Sequence, residues 1–395
     1  MRTREEPTVP VPLYGEASLA DLTPSLLASL AISGIPDAFA IGPLERVCLL
    51  LVDGLGWEQL QAHRDEAPFL NALADGRGGG SGRPITAGFP ATTVASLGSL
   101  GTGLPPGEHG LVGYTFGVPG LDRPVNAIAW ALAGAGPDAD VEAVLPPEGF
   151  APAGTVMQHA LASGIDVVRV GPPDLDRTPL SRAVARGGSY RDDFSLGDLA
   201  ALVAQALDEP GPRLVSAYHP GLDTTGHARG VGSESWRLEL AHVDVLAGQL
   251  ARRLPVGSAL VVTGDHGMVD VPEEAKVDLA DRPELEAGVR MLGGEARARY
   301  VYAEPGAAPD VLAAWTGVLG DRMWVRGRDE AIAEGWFGPR VTDDARARIG
   351  DVVAAAHARM GVFERAVDPM QAMLVGHHGS MTPEEQLVPL VIARG

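Results

Sequence analysis

The segment RVCLLLVDG, at residues 46–54, is a short apolar run that ends in Asp-Gly. Its apolar residues follow one another with no polar residue between them, which is typical of a strand buried on both faces of a parallel sheet. The Asp-Gly pair predicts a turn directly after this strand. Comparable apolar runs predict further strands at residues 125–130, 166–170, 213–218 and 258–267.

Helical patterns lie between these predicted strands, at residues 154–163, 196–207 and 233–254. Strands that alternate with helices predict an α/β fold, here a doubly wound, mostly parallel sheet flanked by helices. The segment 275–365 breaks the alternation and predicts a small α+β insertion, or cap, with a helix near 308–319. We therefore expect an α/β core, formed by residues 1–274 and 366–395, that carries this insertion.

The composition excludes several classes of protein. The 395-residue chain has a formal net charge of −20 and no basic run, so it offers no broad face for a nucleic-acid duplex. The same acidity leaves carboxylates available for divalent cations. Cys48 is the single cysteine, which excludes an intrachain disulfide. There is no stretch of about 18 apolar residues and no apolar leader, so we expect no membrane partner and a cytoplasmic location. The oligomeric state stays open.

Aspartate and histidine residues gather where predicted strands end. The carboxyl ends of parallel strands meet at one edge of an open α/β sheet, where ligands bind. The residues concerned are Asp53, Asp223, His227, Asp265, His266, His377 and His378. Each alone has an ordinary explanation, because Asp after a strand is a common turn former or helix cap. Together they predict a site for two metal ions, since Asp and neutral His bind zinc and related divalent metals.

The segment GFPATTVASLGSLGTG, at residues 88–103, places two threonines between a loop and a run of small residues. This pattern predicts that a helix begins at Thr92 or Thr93 and packs close to the sheet. The N–H groups and dipole at a helix N-terminus favour a phosphate there. A Thr hydroxyl bound to one metal could lose its proton and attack phosphorus. Alternatively, Thr92 is only the N-cap, with Thr93 at the first helical position.

The order of these residues resembles that of the alkaline phosphatase superfamily, and more specifically of the type I phosphodiesterase / nucleotide pyrophosphatase family. The matching segments are LLLVDGLG (49–56), FPATTVASLGSLGTGLPPGEHGLVGY (89–114), LDTTGHARG (222–230), VTGDHGM (262–268) and GHHGSMTPEEQLVPL (376–390). They span most of the chain. The resemblance implies a metal-dependent enzyme that hydrolyses a small-molecule phosphate ester, with a phosphodiesterase or nucleotide pyrophosphatase as the expected activity.

The resemblance also implies two divalent metal ions, with zinc expected and manganese an alternative that Asp and His ligands accept. The family pattern assigns one ion to Asp53, Asp265, His266 and the nucleophilic Thr, and the other to Asp223, His227 and one of the last two histidines. The nucleophile in the family stands nine residues before the Thr of a Thr-Gly pair, here residues 102–103, which selects Thr93. The last ligand in the family precedes a glycine, which selects His378.

This chain departs from the family pattern at two points. Well-studied nucleotide pyrophosphatases carry Thr-Phe-Pro-Asn at the nucleophile, where this chain has Thr-Val-Ala-Ser at residues 93–96. They also carry an Asn that contacts a phosphoryl oxygen, and Tyr114 stands at its position here. Tyr114 is the expected substrate-binding residue, since a phenol can donate one hydrogen bond. A phosphomonoesterase or phosphonate hydrolase on the same site is one alternative, and a non-catalytic, metal-stabilised binding protein is another.

Overall fold

The computed structural model describes residues 7–134, 136 and 139–395 of the chain. Its strands are β1 (Arg46–Val52), β2 (Ser81–Thr86), β3 (Thr115–Phe116), β4 (Val125–Asn126), β5 (Ala131–Leu132), β6 (Asp166–Gly171), β7 (Ser189–Asp192), β8 (Arg213–His219), β9 (Ser258–Thr263), β10 (Val269–Asp270), β11 (Lys276–Asp278), β12 (Val289–Glu295), β13 (Ala298–Ala303), β14 (Met323–Gly327), β15 (Val352–Ala356), β16 (Gly361–Phe363), β17 (Gly376–His377) and β18 (Leu387–Arg394).

The helices are mostly short. They are α1 (Leu19–Ser29), α2 (Trp57–Ala62), α3 (Pro68–Ala74), α4 (Thr93–Thr102), α5 (Pro106–His109), α6 (Val141–Val144), α7 (Val156–Ala162), α8 (Pro179–Val184), α9 (Leu196–Asp208), α10 (Gly221–Arg229), α11 (Glu234–Ala251), α12 (Pro283–Glu286), α13 (Ala308–Leu319), α14 (Arg328–Ala333), α15 (Asp343–Arg348), α16 (Pro369–Met373) and α17 (Pro383–Gln386). Within the described part of the chain, none of them combines the length and the apolar character needed to cross a membrane.

A seven-stranded sheet in the order β2-β18-β9-β1-β8-β6-β7 forms the centre of the molecule. β1 pairs in parallel with β8 and β9, and β6 pairs in parallel with β7 and β8. β18 runs antiparallel to β9 and β2. The prediction of a mostly parallel α/β sheet is confirmed, and four of the predicted strands correspond to β1, β6, β8 and β9.

The central strand β1 is covered by helices on both faces of the sheet. Leu50 belongs to an apolar cluster that includes residues of α9 and α11, whereas Leu49 belongs to a second cluster that includes Leu22 and Leu26 of α1. Successive side chains of a strand point to opposite faces of its sheet. An uninterrupted apolar run is therefore what a strand with two covered faces requires.

The predicted strand at residues 125–130 is wrong as a member of the central sheet. Only Val125–Asn126 is extended, and it forms β4 of a small antiparallel sheet with β3 and β5. The Asn126 carboxamide oxygen accepts hydrogen bonds from the N–H groups of Ile128 and Ala129, each over 3.0 Å. This local side-chain-to-backbone turn ends the strand after two residues.

Most of the segment predicted as an insertion folds around a second sheet. Its strands, in the order β12-β13-β15-β14, are antiparallel, and Trp315 of α13 is fully buried in the cluster that covers them. Trp336 and Phe337 pack edge-on against Phe89, with ring centroids 5.1 and 5.3 Å away. These contacts hold the second sheet against the loop that precedes α4. The exact boundaries of the insertion stay a prediction.

Candidate active site

Three neighbouring strands of the central sheet deliver five of the predicted site residues. Asp53 follows β1 directly, and Asp265 and His266 follow β9. Asp223 and His227 lie on α10, which begins two residues after β8 ends, and their i, i+4 spacing places them on one face of that helix. Because β8, β1 and β9 are parallel neighbours, their carboxyl ends meet at the same edge of the sheet.

Thr93 is the threonine whose hydroxyl lies beside these residues. It is the first residue of α4, and its Oγ1 is 3.2 Å from Nε2 of His266. Thr92 is the extended N-cap residue, with φ −141° and ψ 150°, and its hydroxyl acts on the pKa of Glu295. Because Thr92 is extended and Thr93 is helical, the two adjacent hydroxyls point in different directions. The Thr93 hydroxyl faces His266 and the Thr92 hydroxyl faces Glu295.

His378 reaches the same place from the last part of the chain. Its ring stacks on that of His266, with centroids 3.6 Å apart, and lies 5.1 Å from the ring of His227. His377 makes a different contact, since its Nε2 is 3.2 Å from the carbonyl oxygen of Leu374. Burial lowers the pKa of His377 to about 3, so this histidine is a neutral, packed side chain.

The possible ligand atoms form two groups, each with all atoms within 4.8 Å of one another: Asp53, Asp265 and His266 in the first, and Asp223, His266 and His378 in the second. His266 belongs to both groups, and its Nε2 is 3.5 Å from Asp53 Oδ1 and 3.5 Å from Asp265 Oδ2. His227 extends the second group, because its Nε2 is 3.3 Å from Asp223 Oδ1. The two groups are therefore adjacent.

Backbone carbonyls fix the tautomers of the three clustered histidines. The Nδ1 contacts are His227 with Gly376 at 2.8 Å, His266 with Gly267 at 3.0 Å, and His378 with Ala91 at 3.0 Å. A carbonyl oxygen can only accept, so each Nδ1 carries the hydrogen and each Nε2 keeps a free lone pair. Metal-binding histidines commonly have this arrangement, in which the second ring nitrogen is held by the protein.

Three carboxylate oxygens in the cluster are buried and accept no hydrogen bond from any residue that the structure describes: Asp53 Oδ1, Asp223 Oδ1 and Asp265 Oδ2. Such atoms are costly to leave unpartnered. The opposite oxygen of Asp53 accepts from the Tyr218 hydroxyl, and that of Asp265 accepts from the N–H of Gly54 over 3.0 Å. These two carboxylates are thus anchored through one oxygen and free through the other. The cluster fits divalent cations, which would supply the missing partners.

The electrostatics of the cluster also favour a cation. Burial raises the pKa of Asp53 well above its ordinary value, and the nearby carboxylates of Asp265 and Asp223 raise it further. Burial likewise raises the pKa of Asp223. Burial lowers the pKa of His378, as do the neighbouring His266 and His227 rings. A bound cation would favour the ionised form of the carboxylates. It would also favour the neutral form of the histidines, which is the form that binds metal.

Tyr114, the expected substrate contact, is half-buried beside Asn126. The Asn126 Nδ2 donates to its hydroxyl over 2.8 Å, and burial raises the phenol pKa, as do Asp368 and Glu295. The role of Tyr114 in substrate binding stays a prediction. Asn126, which lies on the neighbouring strand β4, brings an amide beside the Tyr114 hydroxyl, and the spacing of the HGLVGY motif does not indicate this contact.

Sequence reasoning missed Tyr218 and Glu295. Tyr218 lies on β8, within an apolar run that predicts only a strand, and its hydroxyl holds Asp53. Glu295 ends β12, is buried, and has its Oε2 3.4 Å from Nδ1 of His378. The sole signal for Tyr218 was its place near the end of a central strand. Glu295 had none, because it comes from the second sheet.

Comparisons with known proteins agree with this architecture. The family model for type I phosphodiesterase / nucleotide pyrophosphatase matches residues 47–381. A search of curated proteins found no match to the sequence. Murine ectonucleotide pyrophosphatase / phosphodiesterase 5 is similar in structure, with a TM-score of 0.64, 19% identity and 87% of each chain covered. The human protein of the same name has a TM-score of 0.65, 18% identity and the same coverage.

A further structure of the murine protein, an inactive threonine-to-alanine variant in complex with AMP, has a TM-score of 0.63 and 18% identity, again with 87% of each chain covered. At these identities the structural likeness shows a common fold. The family model carries the assignment, because it spans most of the chain, from β1 to the residues just after His378. The chain therefore belongs to the type I phosphodiesterase / nucleotide pyrophosphatase family, whose enzymes hydrolyse phosphate esters, within the alkaline phosphatase superfamily.

Proposed function

We propose that this protein is a two-metal phosphodiesterase that uses Thr93 as its nucleophile. The observation that carries the proposal is the convergence of the Thr93 hydroxyl with three unpartnered carboxylate oxygens and three histidine Nε2 atoms. A site that only bound metal would need no hydroxyl at that place. The N-terminus of α4, where Thr93 lies, adds N–H groups suited to a phosphoryl oxygen.

The ligand sets follow from the two groups of atoms. We assign Asp53, Asp265, His266 and Thr93 to one ion, and Asp223, His227 and His378 to the other. Nitrogen and oxygen ligands in small sets are typical of zinc, and manganese accepts them as well. His266 touches both groups, and its position beside Thr93 Oγ1 favours the first.

The chain's own residues then account for the reaction in two displacements. Bound divalent ions would lower the pKa of the nucleophile's hydroxyl and of water and would neutralise charge that develops at phosphorus. Thr93 Oγ1 attacks phosphorus and its proton passes to solvent, the P–O bond on the opposite side breaks, the departing alkoxide takes up a proton from solvent, and Thr93 carries the phosphoryl group. Water then attacks this phosphothreonine, the bond from phosphorus to Oγ1 breaks, and the Thr93 hydroxyl regains a proton.

The structural relatives support the choice of nucleophile and of substrate class. In the murine relative a threonine-to-alanine variant is inactive, and that variant holds AMP, a phosphate ester. By analogy we expect a small-molecule phosphate ester here too. The diester is preferred over the monoester because the family is one of phosphodiesterases.

The experiment compares turnover of bis-p-nitrophenyl phosphate and p-nitrophenyl phosphate by the same preparation. We expect diester preference, loss of activity with a chelator, recovery with zinc or manganese, and a loss of about a thousandfold or more in Thr93→Ala. Thr93→Ser should retain part of the activity because it keeps a hydroxyl. Monoester preference would move the function to a phosphatase, and full turnover by Thr93→Ala would disprove the nucleophile.

A further inference from the structure

Thr92, the first residue of the threonine pair, is buried at the N-cap of α4. A threonine at this position commonly accepts a hydrogen bond from an N–H group in the first turn of its helix. The Thr92 side chain makes no such bond within the part of the chain that the structure describes. Its hydroxyl instead faces the Glu295 carboxyl and acts on it as a hydrogen-bond donor. The hydroxyl therefore has a role other than capping the helix.

Glu295 reaches Thr92 from the tip of the hairpin that joins β12 to β13 in the second sheet. Glu295 ends β12, Ala298 begins β13, and the two residues are partners in the ladder. Arg297, in the turn between them, is buried, and its guanidinium donates to both carboxylate oxygens of Glu385, each over 2.7 Å. This paired contact anchors the hairpin tip to α17 and thereby fixes the place of Glu295.

The loop before Thr93 and the segment after β17 meet at a single antiparallel bridge between Ala91 and Gly379. The N–H of Ala91 donates to the Gly379 carbonyl over 3.0 Å. The carbonyl of Ala91 accepts from Nδ1 of His378, also over 3.0 Å. The bridge thus connects the nucleophile that we assign to one ion with a ligand that we assign to the other. Its geometry sets the distance between Thr93 and His378.

The Glu295 carboxyl packs directly on this bridge. Its Oε2 is 3.4 Å from Nδ1 of His378, and a Cβ placed on Gly379 would lie 2.8 Å from its Cδ. Its Oε1 is buried and has no hydrogen-bond donor among the described residues. A buried oxygen without a donor costs free energy, so stability alone would favour an apolar side chain at this position. Glu295 is therefore better explained by what it holds in place than by a contribution to the stability of the fold.

We propose that Thr92 and Glu295 are positioning residues that brace the bridge between Ala91 and Gly379 and so hold the Thr93 hydroxyl at a fixed distance from His378. The proposal rests on the proposed function, because it concerns how the two ion sites of that function are held together. It also makes the second sheet part of the reacting geometry. Partners that orient metal ligands commonly change metal affinity about 10- to 100-fold.

Paired variants separate a positioning role from a purely structural one. Thr92→Val and Glu295→Met each remove one polar partner and approximately keep its shape, so each leaves the other partner buried and unpaired. We expect both single variants to be less stable than the native protein when metal is absent. The double variant removes both partners and should recover most of that stability, because apolar replacement of a whole pair is nearly neutral. Unfolding in urea with a chelator present measures this.

Metal affinity then gives the deciding readout. Zinc is titrated into each protein in competition with a chromogenic chelator. Although the double variant recovers its stability, we expect it to bind one of the two ions about 10- to 100-fold more weakly than the native protein does. At saturating zinc, its kcat for bis-p-nitrophenyl phosphate should fall about tenfold or more, with KM within about twofold of the native value. Native metal affinity and native kcat in the double variant would overturn the proposal.

Three further comparisons keep the test independent of the folding of the double variant. Thr92→Val alone is nearly isosteric and removes no helix-capping bond, so native metal affinity in this variant would also overturn the proposal. Glu295→Gln keeps the size and an acceptor oxygen, and should regain most of the affinity that Glu295→Met loses. Glu364→Met is the matched control, because Glu364 is half-buried with Arg299 as its nearest opposite charge. An equal loss of metal affinity in Glu364→Met would count against the proposal.

The proposed function and the positioning role fail in different ways. Chelator-sensitive turnover that requires Thr93, combined with native metal affinity in Thr92→Val and in the double variant, would leave the proposed function intact and refute the positioning role. Weakened metal binding in both of these variants, combined with full turnover by Thr93→Ala, would refute the nucleophile and leave the positioning role intact.

Discussion

Asp53 divides its two carboxylate oxygens between the protein and the candidate metal centre. Its Oδ2 accepts a hydrogen bond from Tyr218, and its Oδ1 is buried with no donor in the described part of the chain. Tyr218 therefore fixes which oxygen faces the cluster. Burial raises the pKa of the Tyr218 phenol well above its usual value, as does the charge of Asp53, so the phenol keeps the proton that it donates.

Removal of this hydrogen bond should weaken metal binding. We expect Tyr218→Phe to lower metal affinity about 10- to 100-fold, because partners that orient a ligand commonly have effects of this size. The measurement is a competition titration against a chromogenic chelator. Tyr190→Phe is the control, since that phenol bonds the carbonyl of Pro172 and not a carboxylate. Equal affinities in native protein and Tyr218→Phe would show that Tyr218 does not orient the ligand.

Between elements, the turn after β1 and helix α10 approach each other closely. Gly54 has φ +75°, and a Cβ placed on it would lie 2.9 Å from the Cα of Asp223. A side chain there would push α10, and with it Asp223, away from Asp53. Gly54 also donates its N–H to Asp265, so one glycine sets the spacing of three carboxylates.

Gly54→Ala should therefore lower both stability and metal affinity. Gly76 is the matched control, because it has the same φ of +75° and a Cβ added to it would meet nothing within 4 Å. Both substitutions carry the cost of a left-handed L-residue, roughly 1–2 kcal/mol, but only Gly54→Ala adds crowding at the site. Unfolding in urea and the chelator competition assay separate the two effects. Native metal affinity in Gly54→Ala would contradict the account.

The elements that could be predicted best from the sequence are those with two covered faces. β1, β6, β8 and β9 have apolar runs because helices pack on both sides of them. The edge strands β2 and β7 read SGRPIT and SYRD and are largely exposed, so they lack that signal. The strand predicted at 125–130 failed for another reason, since the Asn126 side chain turns the chain within two residues.

In the whole molecule, the candidate ligands come from positions as far apart as Asp53 and His378. Sequence order and motif spacing predict these residues as ligands, because metal chemistry restricts ligand types, and the structure brings them together; that they bind metal stays a prediction. The supporting contacts could not be predicted in this way. Apart from the place of Tyr218 near a strand end, nothing in the sequence around Tyr218 or Glu295 indicates a role at the site. The central sheet places Tyr218 beside Asp53, and the second sheet places Glu295 beside His378.

Bound metal should stabilise the whole fold, because it would join segments that are distant in the chain. An ion present at a thousand times its Kd contributes about 4 kcal/mol, so we expect chelation to lower the Tm clearly. The measurement is thermal unfolding with and without chelator. His378→Ala should show a smaller shift on chelation, because it removes a ligand from one of the two groups only. A Tm that does not respond to chelator would contradict a metal-dependent structure.

The central claim, that Thr93 carries the phosphoryl group, is tested most directly by rapid acid quench and mass spectrometry. Metal-loaded protein is mixed with methyl p-nitrophenyl phosphate, quenched during the first turnover, digested and mapped. We expect a methyl phosphoryl adduct on Thr93, and none in protein that was treated with chelator beforehand. An adduct on any other residue, or turnover through the first cycle with no adduct on Thr93, would contradict the account.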